Sequence, residues 1–315
     1  MKNKLLVATS LLTMVLTACN NQTSTVQNWE KTISPAGAPA IAFYDQATTG
    51  KFETNATPSN VLAQLQADNY GMVVFDFYNG LKSLKTNEGH YKLARIITGG
   101  NLYLVGINKT TEPTADDYIV SFGKNLLPDV VYREIYGDDI AEATHYVAGV
   151  SDAQGVLVSG LHEGNAVDYV LIAQPALFAA KQNAQAATFG NLTVISSLRD
   201  KWEAKTGQTA VPQAGLFINM NYYEGHRNYY EDQLALIDER IETAIEDPTT
   251  IKTTMDAQLT VDEQKTFFGF TSAIAYNVQK DDANGFALVS GDEEINIPEF
   301  FEAIGITEDY SNYIL

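Results

Sequence analysis

The sequence predicts an α/β chain made of two similarly built lobes, and three observations carry that expectation. Short apolar runs alternate with stretches of helical periodicity. A unit of helix, tight turn, buried strand and polar turn occurs twice. The 315 residues are 45% hydrophobic and 19% charged, enough for a large core and for roughly two domains.

In chain order, Lys2 and Lys4 precede Leu5–Leu16, an apolar run of twelve residues. That run is too short to cross a bilayer as a helix and has the length of the apolar core of an export signal. It closes on Leu16-Thr17-Ala18-Cys19. Small residues before a cysteine at this point resemble a bacterial lipobox, which implies cleavage after residue 18 and diacylation of Cys19. Two acyl chains anchor a protein stably where one does not. Residues 1–18 are therefore expected to be a lipoprotein signal peptide and 19–29 a polar tether. The folded part is expected to be extracytoplasmic, held to the bacterial cell membrane by lipid on Cys19.

Ile33 to Pro39 reads as a strand end opening a helix. Pro39 suits a first helical turn, and Gly37 permits unusual backbone angles or close ligand approach. Val61–Leu65 is helical and leads through Asp68-Asn69-Tyr70 to a buried strand, Gly71–Phe75, and then to the polar turn Asp76–Asn79. Leu102–Val105 is a second buried strand. Val156–Leu161 repeats the first unit: through Gly164–Asp168 it leads to the strand Tyr169–Ile172 and the turn Gln174–Ala176. Gly215–Ile218 is a fourth strand. In Tyr229–Glu246 the residues Leu234, Ile237, Ile241, Ala244 and Ile245 recur at helical spacing, and Pro248 follows. Phe267-Phe268 and Phe300-Phe301 lie in further helices.

Several functions are excluded or disfavoured. Twenty Lys and Arg stand against 39 Asp and Glu, a net charge of −19 that repels phosphate backbones, so no nucleic-acid partner is expected. One cysteine forms no disulfide within the chain and no cysteine zinc site. His90, His145, His162 and His226 are not at metal-ligand spacing. G-x-S-x-G, P-loop and G-x-G-x-x-G patterns are absent. No metal, organic cofactor or catalytic residue is expected.

In open α/β sheets ligands bind beyond the carboxyl ends of strands, beside helix N-termini with free N–H groups. Asp76–Asn79 and Gln174–Ala176 would then face one cleft. A carboxylate buried there needs a donor. Asp76 therefore favours a heteroaromatic or amine-bearing solute over a bare oxyanion, with Phe77 or Tyr78 stacking on it.

Four stretches carry a family resemblance. Ser34–Ala40 resembles a first binding loop in which a G-P element opens a helix. Thr98–Val105 resembles the stretch entering the strand before a crossover. Leu161–Pro175 resembles a second-lobe element of glycine, aspartate, apolar run and proline. Leu198–Asn221, with Trp202-Glu203 and Thr206-Gly207, resembles the return crossover. Together they resemble the type II periplasmic-binding-protein fold, in the branch of ABC-transporter substrate-binding proteins for nitrate, taurine, aliphatic sulfonates and thiamine-pyrimidine precursors. In the first lobe that branch often has proline after the strand, where this chain has Asp76-Phe77-Tyr78-Asn79.

The resemblance implies two Rossmann-like lobes with a hinge of two crossovers. Lobe one would comprise 30–112 plus 216–315 and lobe two 113–215, with crossovers near Asn108–Ala115 and Val211–Gly215. It implies a solute-binding component of an ABC importer, not an enzyme, working with an ABC permease and closing its lobes on a small solute. Ligand contacts are expected from Pro35, Ala36, Gly37 and Ala38, from Asp76, Phe77, Tyr78 and Asn79, and from Gly99, Gly100 and Asn101. In lobe two they are expected from Gly123, Lys124, Asn125, Gln174 and Pro175. An exported interaction or sensory protein, or an enzyme on the same fold, is the alternative.

Overall fold

The computed structural model describes residues 26–183, 190–281, 285–291 and 295–315. The signal peptide, the lipobox and Cys19 lie outside the described residues.

Two five-stranded mixed sheets form the frame, with helices on their faces. The first has the order β2-β1-β3-β12-β4 and the second β11-β5-β10-β6-β7. The first comprises β1 (Thr32–Pro35), β2 (Phe52–Asn55), β3 (Met72–Asp76), β4 (Tyr91–Thr98) and β12 (Ala214–Asn219). The second comprises β5 (Leu102–Ile107), β6 (Ile119–Phe122), β7 (His145–Val147), β10 (Tyr169–Ala173) and β11 (Leu192–Ser197). A small hairpin of β8 (Leu161–His162) and β9 (Asn165–Ala166) stands beside the second.

The two orders are the same pattern. Each sheet has three parallel strands, then one antiparallel strand delivered by a crossover, then an edge strand. β12 runs antiparallel to β3 and β4, and β5 antiparallel to β10 and β11. β3 and β10, the strands of the repeated unit, hold equivalent central positions. In the second copy the tight turn is the β8–β9 hairpin, and Leu161 belongs to it rather than to a helix.

The helices follow their periodicity. They are α1 (Pro58–Ala67), α2 (Phe77–Asn87), α3 (Leu127–Tyr136), α4 (Asp138–Glu142), α5 (Val150–Ser159), α6 (Ala176–Gln182) and α7 (Leu198–Thr206). Then come α8 (Met220–Glu246), α9 (Pro248–Gln258), α10 (Val261–Phe268), α11 (Ser272–Asp281) and α12 (Ile297–Ala303). α8 begins nine residues before the expected Tyr229 and kinks at His226, whose φ of −135° is not helical. It buries Tyr230, Leu234, Ile237, Ile241 and Ala244, one face at spacings of three and four. Pro248, expected as a stop, also opens α9, where its missing N–H costs nothing.

Alternation along the first sheet separates two cores. Val73, Phe75, Leu93 and Phe217 face α1 and α2, while Met72, Val74, Leu216 and Ile218 face α8 and the 3-10 turn Ala38–Phe43. The first of these cores runs on into the second sheet through Leu102, Trp202, Val211 and Phe300. The lobes are thus continuous through buried apolar side chains.

One boundary differs from the sequence reading. Leu102–Ile107 was expected in lobe one, yet it pairs with β10 and β11. The chain crosses at Gly99–Asn101, before this strand and not at Asn108–Ala115. An apolar run shows that a strand is buried, not which sheet it joins. The return passes through Gly207–Gln213 into β12, overlapping the expected Val211–Gly215.

Candidate functional site

The register Thr32↔Met72 and Ile33↔Val73 is parallel, so β1 and β3 end on one edge of the first sheet. Pro35–Ala38 and Asp76–Asn79 leave from that edge. Gly37 has φ of 120°, and a Cβ there would meet nothing within 4 Å. A backbone requirement, not crowding, selects glycine. Its N–H donates to the Phe268 carbonyl at 2.8 Å, and that of Ala36 to Asn55 at 3.1 Å. This turn is held by its own lobe.

Asp76 is the N-cap of α2. Its Oδ1 accepts from the Asn79 N–H at 2.9 Å and from Asn79 Nδ2 at 3.2 Å. The backbone N–H groups of Tyr78 and Leu127 also act on this carboxyl. Leu127 opens α3 in the second lobe, and its N–H lowers the Asp76 carboxyl pKa without being one of the hydrogen bonds of that carboxylate, which are those to Asn79 of α2. Burial is the largest influence and pushes the Asp76 carboxyl up to about 6 against those donors.

The neighbouring rings are occupied. Phe77 is fully buried and stacks on Phe301, ring centroids 5.6 Å apart at 14°. Phe300 lies edge-on to Phe77 at 5.6 Å and reaches Trp202 of α7 at 5.1 Å. Tyr78 meets Phe301 at 6.0 Å, and burial raises its hydroxyl pKa. Phe77 and Tyr78, expected to stack on a solute, are instead covered by Phe300 and Phe301 of α12 in this structure.

Asn101 joins the two crossovers. Its N–H donates to Gln213 Oε1 at 2.9 Å, its Nδ2 to the Gln174 carbonyl at 3.0 Å, and its carbonyl accepts from Gln174 N–H at 3.0 Å. The Phe77 N–H donates to the Gln213 carbonyl at 2.9 Å, linking the Asp76 turn to the same knot. Val211 N–H donates to Gly99 at 3.0 Å, and Gly99 N–H to Ala287 at 2.6 Å. A third pass of chain, from near the C-terminus, therefore joins the two crossovers. Gln174–Pro175, a cis peptide, leads into α6.

In the loop from β6 to α3, Gly123 and Asn125 have φ of 67° and 61°. Asn125 N–H donates to Asp129 Oδ2 at 2.8 Å. Asp129, 1% exposed, also accepts from the Tyr146 hydroxyl at 2.5 Å and Arg133 Nε at 3.2 Å. Burial, and then this hydrogen bond, raise the Tyr146 pKa. Lys124 Nζ stands 5.4 Å from the Tyr146 ring centre. Lys124 is thus placed on an aromatic face of its own lobe.

Of the expected residues, Asp76, Phe77, Gly99, Asn101 and Gln174 are brought together, directly or through Gln213. Pro35–Ala38 and Lys124 find partners within their own lobes. Leu127, Asp129, Trp202, Gln213, Phe300 and Phe301 were not anticipated at the site. Asp129 carries a readable signal, an acid in the first turn of a helix. A glutamine in a connection and an apolar pair in a late helix carry none. Two scattered histidines also meet: Tyr118 stacks on His145 at 4.1 Å and its hydroxyl lies 3.0 Å from His162 Nδ1. Among the described residues no group of three or more metal-ligating side chains is assembled, and no helix is long and apolar enough to cross a membrane.

Two sheets of this order, joined by crossovers with strand-end turns between them, define the fold of periplasmic solute-binding proteins. Solved structures with that fold superpose over most of the chain. An ABC transporter protein from Parabacteroides distasonis is 17% identical, with 90% of this chain and 98% of that one covered, at a TM-score of 0.57. The alkanesulfonate-binding protein from Xanthomonas axonopodis pv. citri, bound to MOPS, is 9% identical, with 91% and 96% covered, at 0.56. The periplasmic nitrate-binding protein from Synechocystis PCC 6803 is 8% identical, with 86% and 74% covered, at 0.55. No protein-family model and no curated protein matches the sequence.

Proposed function

We propose that this protein is the solute-binding component of an ABC importer, closing its two lobes on a small organic solute and delivering it to a permease. The observation that carries the reading is the knot of hydrogen bonds at the paired crossovers, where Asn101 meets Gln213 and Gln174 and the Phe77 N–H after Asp76 donates to the Gln213 carbonyl. The similar structures, which include alkanesulfonate- and nitrate-binding proteins, support it. The role is binding rather than catalysis.

In this reading the protein works on the extracytoplasmic side of the membrane, held by lipid on Cys19. Trp29 and Gly71 meet at the amino ends of β1 and β3, with the Tyr230 hydroxyl on the Trp29 carbonyl at 2.9 Å. Trp29 thus sits at the pole of the first sheet opposite Asp76. Asp76 favours a solute that brings an amine or ring N–H. Native mass spectrometry of protein purified without refolding tests this: a retained small organic molecule is expected. Retention of none, together with no thermal stabilisation by amines, pyrimidines, sulfonates or nitrate, would overturn the reading.

A further inference from the structure

We propose that the carboxamides of Gln213 and Gln174, at the paired crossovers, are solute-contact groups that donate through Nε2 to an uncharged carbonyl oxygen, as in a lactam, an imide or a carboxamide. The proposal rests on the solute-binding reading above and adds to it the residues and the chemical group they select.

Gln213 stands on the return crossover, one residue before β12. Its backbone is committed: the N–H donates to the Thr98 carbonyl at 2.9 Å, and the carbonyl accepts from the Phe77 N–H at 2.9 Å. Its side chain is committed at one end only. Oε1 accepts from the Asn101 N–H at 2.9 Å. A backbone N–H can only donate, so the amide oxygen faces Asn101 and the NH2 turns the other way. Among the described residues Nε2 has no partner, and it is not a buried atom, so its N–H groups reach open space.

Two more amides at this crossing are oriented by the same rule. Gln174 Oε1 accepts from the Phe178 N–H of α6 at 3.1 Å, which turns its Nε2 outward. Asn101 Nδ2 donates to the Gln174 carbonyl at 3.0 Å, which leaves Oδ1 as the acceptor. Asn101 bonds to both glutamines, so it links an outward donor on the return crossover to one in the second lobe. All three side chains are uncharged. Closing the lobes on this crossing takes the amides out of water, and each outward group then needs a partner from the solute. Donors beside an acceptor match a carbonyl beside an N–H, the edge that a lactam or imide presents. A solute without that oxygen would leave the donors unpaired, which is how such a site discriminates.

The test uses substitutions that keep the inward hydrogen bond and invert the outward group. Gln213→Glu retains an oxygen for the Asn101 N–H and replaces the outward NH2 by a second acceptor. Gln174→Glu does the same at Phe178, where a helix N-terminus favours the added charge. Thermal unfolding of wild type and both variants is followed with uracil, 2-pyrrolidinone, propylamine and methanesulfonate. Uracil or 2-pyrrolidinone should raise the wild-type midpoint by about 2–4 °C at saturation. Each variant should unfold within about 2 °C of wild type without a probe, lose most of the lactam response and respond to propylamine instead. Should Gln213→Glu not fold, Gln174→Glu decides. A lactam response that survives in both variants, or none in wild type, overturns the proposal. Stabilisation by methanesulfonate alone, unchanged in both variants, would remove this proposal and leave the solute-binding reading standing. A wild type that retains no solute in native mass spectrometry and responds to none of the probes would remove both.

Discussion

The two lobes share one strand order but treat their helix ends differently. In the first, Asp76, Asn219, Asp247, Thr260 and Asn296 each accept a hydrogen bond from the helix they begin. In the second, Leu126, Gly137, Gly149 and Pro175 offer no side-chain cap, and Ser197 does. The first lobe leans more on capping side chains, although Thr57 before α1 supplies none, while in the second the Gly149 N–H finds Asp152 at 3.1 Å and the Phe178 N–H finds Gln174 Oε1 at 3.1 Å.

The largest test of that division is Phe300→Ala. Phe300 is fully buried and touches Phe77 of one lobe and Trp202 of the other. Its truncation should cost about 4 kcal/mol in urea unfolding, and should loosen both lobes together in hydrogen exchange. Protection lost in one lobe only would break the view that α12 joins them.

Next is Asp129→Ala, which strands Asn125 N–H, the Tyr146 hydroxyl and Arg133 in the second lobe. A loss of about 3 kcal/mol is expected. The first lobe should keep its exchange protection.

Asp76→Asn sharpens the comparison at one capping side chain. The Asp76 pKa is raised in the folded protein from 3.8 to about 6, so the folded state binds the proton more tightly than the unfolded one. Wild-type stability should therefore fall as pH rises through that window. Asparagine removes the buried charge but accepts more weakly. At pH 7 it should gain about 2 kcal/mol over wild type and lose this part of the pH dependence. A pH profile identical to wild type would show that the carboxylate is solvated.

The smallest effect belongs to a cap far from the cleft. Thr260 begins α10, exchanging hydrogen bonds with Glu263 through its N–H, its hydroxyl and the Glu263 N–H. Thr260→Ala should cost about 1 kcal/mol, measured by thermal unfolding, with the pH dependence assigned to Asp76 unchanged.

By itself the sequence determined the α/β class, the central strands Gly71–Phe75 and Tyr169–Ile172 and the buried face of α8. Each rests on a local pattern: an alternation of short apolar runs with helical stretches, an unbroken apolar run, a helical period. It also marked Asp76, because an acid at a strand-end turn that opens a helix is well placed to cap it or to meet a ligand. Tertiary structure alone decided that β5 pairs in the second sheet, that Asn101 meets Gln213 and Gln174, and that Phe300 and Phe301 cover Phe77. Those three depend on residues far apart in the chain. An amide in a connection and a ring left bare at a helix end carry no mark in sequence of the group that packing brings to them.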